Sequence, residues 1–206
     1  MSANSKLISF VLSGIIYLAV FIFSINLPTD PDLGWHLKYG EFFFKTGSIL
    51  QDNIFSTMMP DYKWVNHSWA SDALIYFVNN SAGFIGISLL GAGIVTLTFF
   101  VLSKAFNLTL WNKAILFPIL LLLVNNVNAV SFRSQMMSYF FTTVLIYILM
   151  KYEENPKRLL FVIPLFLVWA NFHGGFIVGL LILGGYIAIK KLVLYKDNLR
   201  NLNLKF

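Results

Sequence analysis

Apolar residues run along this chain in long blocks, and polar residues gather in the gaps between them. The first block, LISFVLSGIIYLAVFIFSINL from Leu7 to Leu27, carries no charge. At ~1.5 Å per residue it crosses the ~30 Å hydrocarbon layer of a bilayer. It is too long for a signal-peptide core and lacks a small-x-small cleavage site, so it reads as an uncleaved span. Residues 28–68 are mostly polar. WASDALIYFVNN then predicts a helix entering from the interface, and Gly83 to Ser103 a second span. Further spans are expected at Ala114–Val124, Met136–Met150, Leu159–Asn171 and Phe176–Ile189, followed by a tail from 190 to 206. KYEENPKR separates two of them, where Pro156 and the like-charged Glu153 and Glu154 discourage a continuous helix; HGG at 173–175 makes a tight turn. The expected fold is all-α: a single transmembrane domain, a polytopic membrane helix bundle of about six transmembrane helices, with an external interfacial helix in the first loop.

Charge orients that bundle. Six crossings put both termini on one side, with Lys6, Lys104, Lys113, Lys151, Lys157, Arg158, Lys190, Lys191, Lys196, Arg200 and Lys205. Only Lys38, Lys45, Lys63 and Arg133 fall on the other. The positive-inside rule therefore expects a cell-membrane protein with both termini cytoplasmic and residues 28–68 outside. All three histidines (His36, His67, His173) then lie outside, as do Asp30, Asp32, Glu41, Asp52, Asp61 and Asp72. Asn125, Asn126, Asn128, Arg133, Gln135 and Asn171 gather at the same interface, and no charge lies mid-span.

Composition agrees: 58% of the 206 residues are hydrophobic and 12% charged, with mean hydropathy +0.73. A soluble domain carries about a quarter charged residues. The net charge of +6 belongs to the flanks of spans, so no nucleic-acid partner is expected. The absence of cysteine excludes disulfides, thiolate nucleophiles and cysteine-ligated metals.

The densest chemistry is PTDPDLGWHLKYGE, directly after the first span. Pro31 suits a first helical position, with Asp30 as N-cap and Asp32 in the first turn. Leu33, Leu37 and Phe44 share a face that Trp35, Phe42 and Phe43 widen, which predicts a helix lying along the outer interface. Asp32 and His36 are four apart and can face each other. The aspartates can hold a divalent cation, or one can act as general base on a hydroxyl with His36 tuning it; equally, Asp-Pro-Asp can be no more than a capped helix start. Trp64 and Trp69 suit interfacial anchoring. His67 fits either a phosphate contact or a helix cap. Arg133 stands alone in a short external turn, where it can snorkel or fork onto a phosphate. Gly174 and Gly175 after His173 suit close backbone approach or a tight turn.

Taken in order, DPDLGWHLKYGE, WVNHSW, FRSQ and WANFHGGF resemble membrane glycosyltransferases of the GT-C class, and more narrowly bacterial relatives of the dolichyl-phosphate-mannose protein mannosyltransferases. The resemblance covers nearly the whole chain. It implies a catalytic aspartate in the first external loop, Asp30 or Asp32, with Asp32 beside Trp35 and His36 preferred. It implies a polyprenyl-phosphate-linked sugar as donor, with Arg133 on the lipid phosphate and His67, His173, Trp35 and Gln135 lining the substrate pocket. The acceptor hydroxyl can belong to a glycan, lipid or protein. Some branches of the class need a divalent cation (Mg or Mn), for which Asp30 and Asp32 are the candidate ligands, and others need none.

Two features depart from the pattern. Ser134 replaces the proline of the related arginine-proline-glutamine motif, and family members continue for several more spans, so the chain reads as an amino-terminal portion. The alternative functions are a non-catalytic membrane assembly protein or a transporter subunit. A transporter is disfavoured by the lack of mid-span charges and of an internal repeat. An intramembrane metalloprotease is disfavoured by the absence of His-Glu-x-x-His.

Overall fold

The computed structural model describes residues 3–55, 57–59, 62–63, 65–125, 129–152 and 155–203. Asp61, Trp64, Asn126, Asn128, Glu153, Glu154 and Lys205, named above, lie outside the described residues. The described residues form seven helices and no strand: α1 (Ala3–Phe23), α2 (Leu33–Thr46), α3 (Trp69–Ala105), α4 (Leu110–Leu123), α5 (Ser134–Lys151), α6 (Val162–Phe172) and α7 (Phe176–Asn203). A 3-10 turn, Pro156–Phe161, leads into α6. Three stretches are long and apolar enough to cross a membrane: Asn4–Phe23, Trp69–Ala105 and Phe176–Val193. Large apolar side chains such as Leu7, Phe10, Leu18 and Phe23 point outward from the bundle, as lipid-facing surface requires.

α3 is the central strut. Unbroken, 37 residues would extend about 55 Å, far beyond a ~30 Å hydrocarbon layer. Gly83 breaks it with φ 61 and ψ −157, a conformation open to glycine. The break separates the WASDALIYFVNN helix from the following apolar helix, at the position where the second span was expected to begin. Around α3, Ile75, Ile87, Val95 and Phe99 pack with Phe117 of α4, Met136, Phe141 and Leu145 of α5 and Trp169 of α6 into one buried cluster.

Boundaries differ from the sequence reading for local reasons. α1 stops at Phe23, four residues before Leu27; in a continued helix the Pro28 ring would clash with the Ser24 carbonyl, and Leu27 itself is pushed out of helical backbone. α4 starts at Leu110, so Leu110 and Trp111 join it; Thr109 caps it by accepting from Asn112 N–H at 3.3 Å. α7 continues past Ile189 to Asn203, since lysines end an apolar stretch without ending a helix.

α2 packs on the first turns of α3. Phe43 meets Trp69 at 5.1 Å between ring centroids and Phe44 meets Tyr76 at 5.5 Å. Gly40 makes the crossing possible: a Cβ there would stand 2.3 Å from the Asp72 carbonyl oxygen and 2.4 Å from Tyr76 Cβ. Gly40→Ala should therefore push α2 off α3 and cost about 1–3 kcal/mol by overpacking. A lowered unfolding midpoint in detergent is expected for Gly40→Ala and none for Gly93→Ala, whose added Cβ meets nothing within 4 Å. Equal midpoints for the two variants would remove Gly40 from the crossing.

Candidate functional site

Four separate segments converge at one end of the bundle. The loop after α1 brings Asp30 and Asp32, and α2 brings Trp35, His36 and Tyr39. The segment before α3 brings Asn66 and His67, the start of α5 brings Arg133 and Gln135, and the α6–α7 turn brings His173. Except for Asp30, these side chains line a cavity of about 530 Å³.

The two aspartates have different surroundings. Asp30 is buried, its side chain 2% exposed; its Oδ1 accepts from Asp32 N–H at 3.0 Å, and Arg133 Nε lies 2.6 Å from its Oδ2. The latter is an ion pair by distance rather than an aligned hydrogen bond. The helix cap falls on Asp32, with α2 starting at Leu33, rather than on Asp30 as expected: one Asp30 oxygen closes the turn ahead of the helix and the other makes a buried charge pair. Asp32, 61% exposed, makes no cap bond with its side chain; it holds Arg133 Nη2 only loosely, at 3.4 Å. Arg133 is therefore not a solitary turn residue, as its sequence setting suggests. Ser131, with φ 70, turns the chain just ahead of it, and Gly91 of α3 lies so close to the Ser131–Phe132 backbone that a Cβ would stand 3.0 Å from Phe132 N.

This arrangement does not suit a cation between the aspartates. Both Asp30 oxygens are engaged and a guanidinium occupies the space the two carboxylates share. Among the described residues no third His, Asp or Glu joins them.

His36 is oriented by a residue that sequence spacing did not single out. Its Nδ1–H donates to Asp72 Oδ1 at 2.6 Å, while Asn66 Nδ2 donates to Asp72 Oδ2 at 2.6 Å. Asp72, 2% exposed, sits in the first turn of α3, where the helix N-terminus favours its charge. Burial on its own would lower the His36 pKa, but the hydrogen bond and charge of Asp72, with Asp30 and Asp32 beyond, bring it net above the ordinary value. The pair spans 36 residues and becomes visible only when α2 docks on α3.

His173 is held the opposite way. Its Nδ1 accepts from Gly175 N–H at 3.0 Å, with Ser138 Oγ 2.7 Å away. Trp169 Nε1–H donates to Ser138 Oγ at 2.8 Å, leaving the serine proton for His173. A nitrogen that accepts a backbone N–H carries no proton, so the ring is neutral with its proton on Nε2. Burial and then the charge of His67 lower its pKa, in keeping with that state. Gly175 is needed there, because a Cβ would stand 2.4 Å from Ser138 Oγ. The turn is tied to α3 by Ser71 Oγ–H to the Phe172 carbonyl at 2.7 Å and by Trp69 Nε1–H to Asn171 Oδ1 at 2.7 Å. Trp69, expected from its setting as an interfacial anchor, is here a half-buried tie between helices.

Aromatic rings form one wall: Trp35 stacks on Tyr39, and Phe55 meets both. Glu41 turns elsewhere, to Lys45 at 2.6 Å and Lys38 at 2.9 Å, whose hydrogen bonds and charges lower its carboxyl to about 2. Asp52 pairs with Lys63 in the segment between α2 and α3, where their backbones also form an isolated antiparallel bridge.

The opposite histidine shifts can be measured by NMR of histidine-labelled full chain. His36 should titrate above 6.5 and His173 below it. Asp72→Asn should drop His36 below 6.5, since burial persists after the counter-charge is gone. A raised pKa means that the protonated His36–Asp72 pair stabilises α2–α3 docking fully below pH 6.5, and that this contribution is lost as pH rises through the folded-state value. A His36 titration unmoved by Asp72→Asn would break the assignment. No protein-family model, curated protein or solved structure matches the chain, so the cavity's chemistry has to be read from its own residues.

Proposed function

We propose that the chain is a membrane glycosyltransferase of the GT-C class that moves a sugar from a polyprenyl-phosphate donor to an acceptor hydroxyl at the external membrane face. The observation that carries this reading is a single cavity in which an exposed carboxylate, Asp32, faces a guanidinium, Arg133, together with three histidines and an aromatic wall, at the end of a lipid-facing bundle. A donor with a greasy tail and a charged head reacts where those two environments meet. The proposed topology has six crossings, formed by α1, the later part of α3, α4, α5, the 3-10 turn with α6, and α7, with both termini cytoplasmic.

In this reading Asp32 is the general base and Asp30 is a positioning residue. The donor phosphate takes Arg133 Nη2 from Asp32, which the 3.4 Å contact concedes easily, and Asp32 is left free to accept a proton. The acceptor oxygen bonds to the anomeric carbon as its proton passes to Asp32. The bond from that carbon to the phosphate oxygen breaks, and the electron pair leaves with the phosphate. Arg133 balances the departing charge, with His36 beside it, and His173 Nε2–H offers a further donor. Trp35 and Gln135 complete the substrate wall, with His67 at the rim. No step uses a metal.

Asp32→Asn should lower sugar transfer from a polyprenyl-phosphate donor by about 10²–10⁴-fold while the protein stays folded in the membrane. Near-normal transfer would remove Asp32 from the chemistry. Arg133→Lys, which keeps a charge for Asp30 but loses the planar fork, should weaken donor binding more than it lowers the unfolding midpoint. Because a guanidinium stands where a cation would, transfer should persist in excess chelator; loss that added Mg or Mn restores would overturn the metal-free mechanism.

A further inference from the structure

The end of the bundle opposite this cavity holds a second polar pocket. It has a volume of about 430 Å³ between α1, α3 and α4 and is lined by Lys6, Lys104 and Lys113 with Ser9, Ser13 and Tyr17. No carboxylate is among its lining residues, and none of the three lysines makes an ion pair among the described residues. Three lysines lining one pocket without a carboxylate leave its positive charge uncompensated, which an anion would balance.

Two of the ammonium groups are held by neutral neighbours rather than neutralised. Lys113 Nζ donates to Ser13 Oγ at 3.3 Å and lies 5.4 Å from the Tyr17 ring centroid; Lys104 Nζ lies 5.4 Å from that of Phe100. Tyr17 is itself fixed by a 2.6 Å hydrogen bond between its hydroxyl and Ser103 Oγ, so the floor is rigid. The lining also includes apolar surface: Phe10 is 78% exposed, next to the outward-facing Leu7 and Val11 of α1.

We infer that this pocket binds the phosphate of an anionic lipid headgroup. Serine hydroxyls and lysines receive the phosphate, while Phe10 and the exposed face of α1 lie against the acyl chains. A soluble phosphate anion shares the headgroup's charge but gains nothing from that apolar surface. Basic pockets between spans take anionic headgroups for this reason, and each lysine near such a surface contributes about fivefold in affinity.

The test titrates detergent-solubilised full chain with short-chain phosphatidylglycerol or phosphatidylcholine and follows bound lipid by native mass spectrometry. Phosphatidylglycerol should bind at least tenfold more tightly. Lys104→Gln and Lys113→Gln should each reduce that preference about fivefold. Lys113→Arg should keep it, and Lys191→Gln, beyond the pocket, should leave it unchanged. Should the Lys113 variant fail to fold, Lys6→Gln reads the same pocket from an exposed position and should show the same loss. Equal affinity for the two lipids would overturn the proposal. An equal loss in Lys191→Gln would reduce it to diffuse surface attraction. Displacement of phosphatidylglycerol by inorganic phosphate at the lipid's own concentration would assign the pocket to a soluble anion and defeat the headgroup assignment.

Discussion

Asp30 and Arg133 meet at 2.6 Å with the carboxylate almost wholly buried, and the placement of the polar end of this protein follows from that contact. A buried charge without a partner costs several kcal/mol, so the loop after α1 and the start of α5 are held to each other across 103 residues of chain. The other Asp30 oxygen accepts the backbone N–H that opens the turn into α2. One side chain thus fixes where Arg133 stands and where α2 begins. Asp32 and His36 inherit their positions from that start.

A second constraint is how closely α2 and α3 approach. Gly40 lets the two backbones come so near that His36 reaches Asp72. With Asp72 also held by Asn66, the charged carboxylate is satisfied on both oxygens and sits at a helix N-terminus. The two histidines best defined in the cavity are shifted in opposite directions for physical reasons. His36 gains a counter-charge that outweighs its burial, whereas burial and the neighbouring His67 lower His173. The cavity thereby gathers Arg133, two oppositely shifted histidines and the exposed Asp32 carboxylate in one place.

The membrane separates the polar chemistry of the chain into two layers. Carboxylates, histidines and Arg133 collect at one end of the bundle, while Lys6, Lys104 and Lys113 converge at the other with no acid between them. Between the two ends the helices present leucine, isoleucine and phenylalanine outward. The low dielectric of the lipid layer forbids charges there and strengthens those at its edges.

Much of this organisation is determined by the sequence alone. Block hydropathy dictates helices, because lipid leaves backbone groups no other partner, and Gly83 and Pro28 mark breaks that local backbone sterics enforce. The cavity lining was also legible: Asp32, Trp35, His36, His67, Arg133, Gln135 and His173 are polar or aromatic groups at the ends of apolar blocks, and all of them line one cavity. Their partners were not. Asp30 and Asp32 look interchangeable two residues apart, and only the arrival of Arg133 from α5 buries one and leaves the other exposed. Asp72 looked like an ordinary first-turn acid, and Ser138 like one more residue of a span. Their partners, His36 and His173, are 36 and 35 residues away, a separation that no periodicity encodes. Local pattern decides what each segment becomes; which charges share a buried space is decided by helix packing, because that alone brings distant side chains within hydrogen-bonding range.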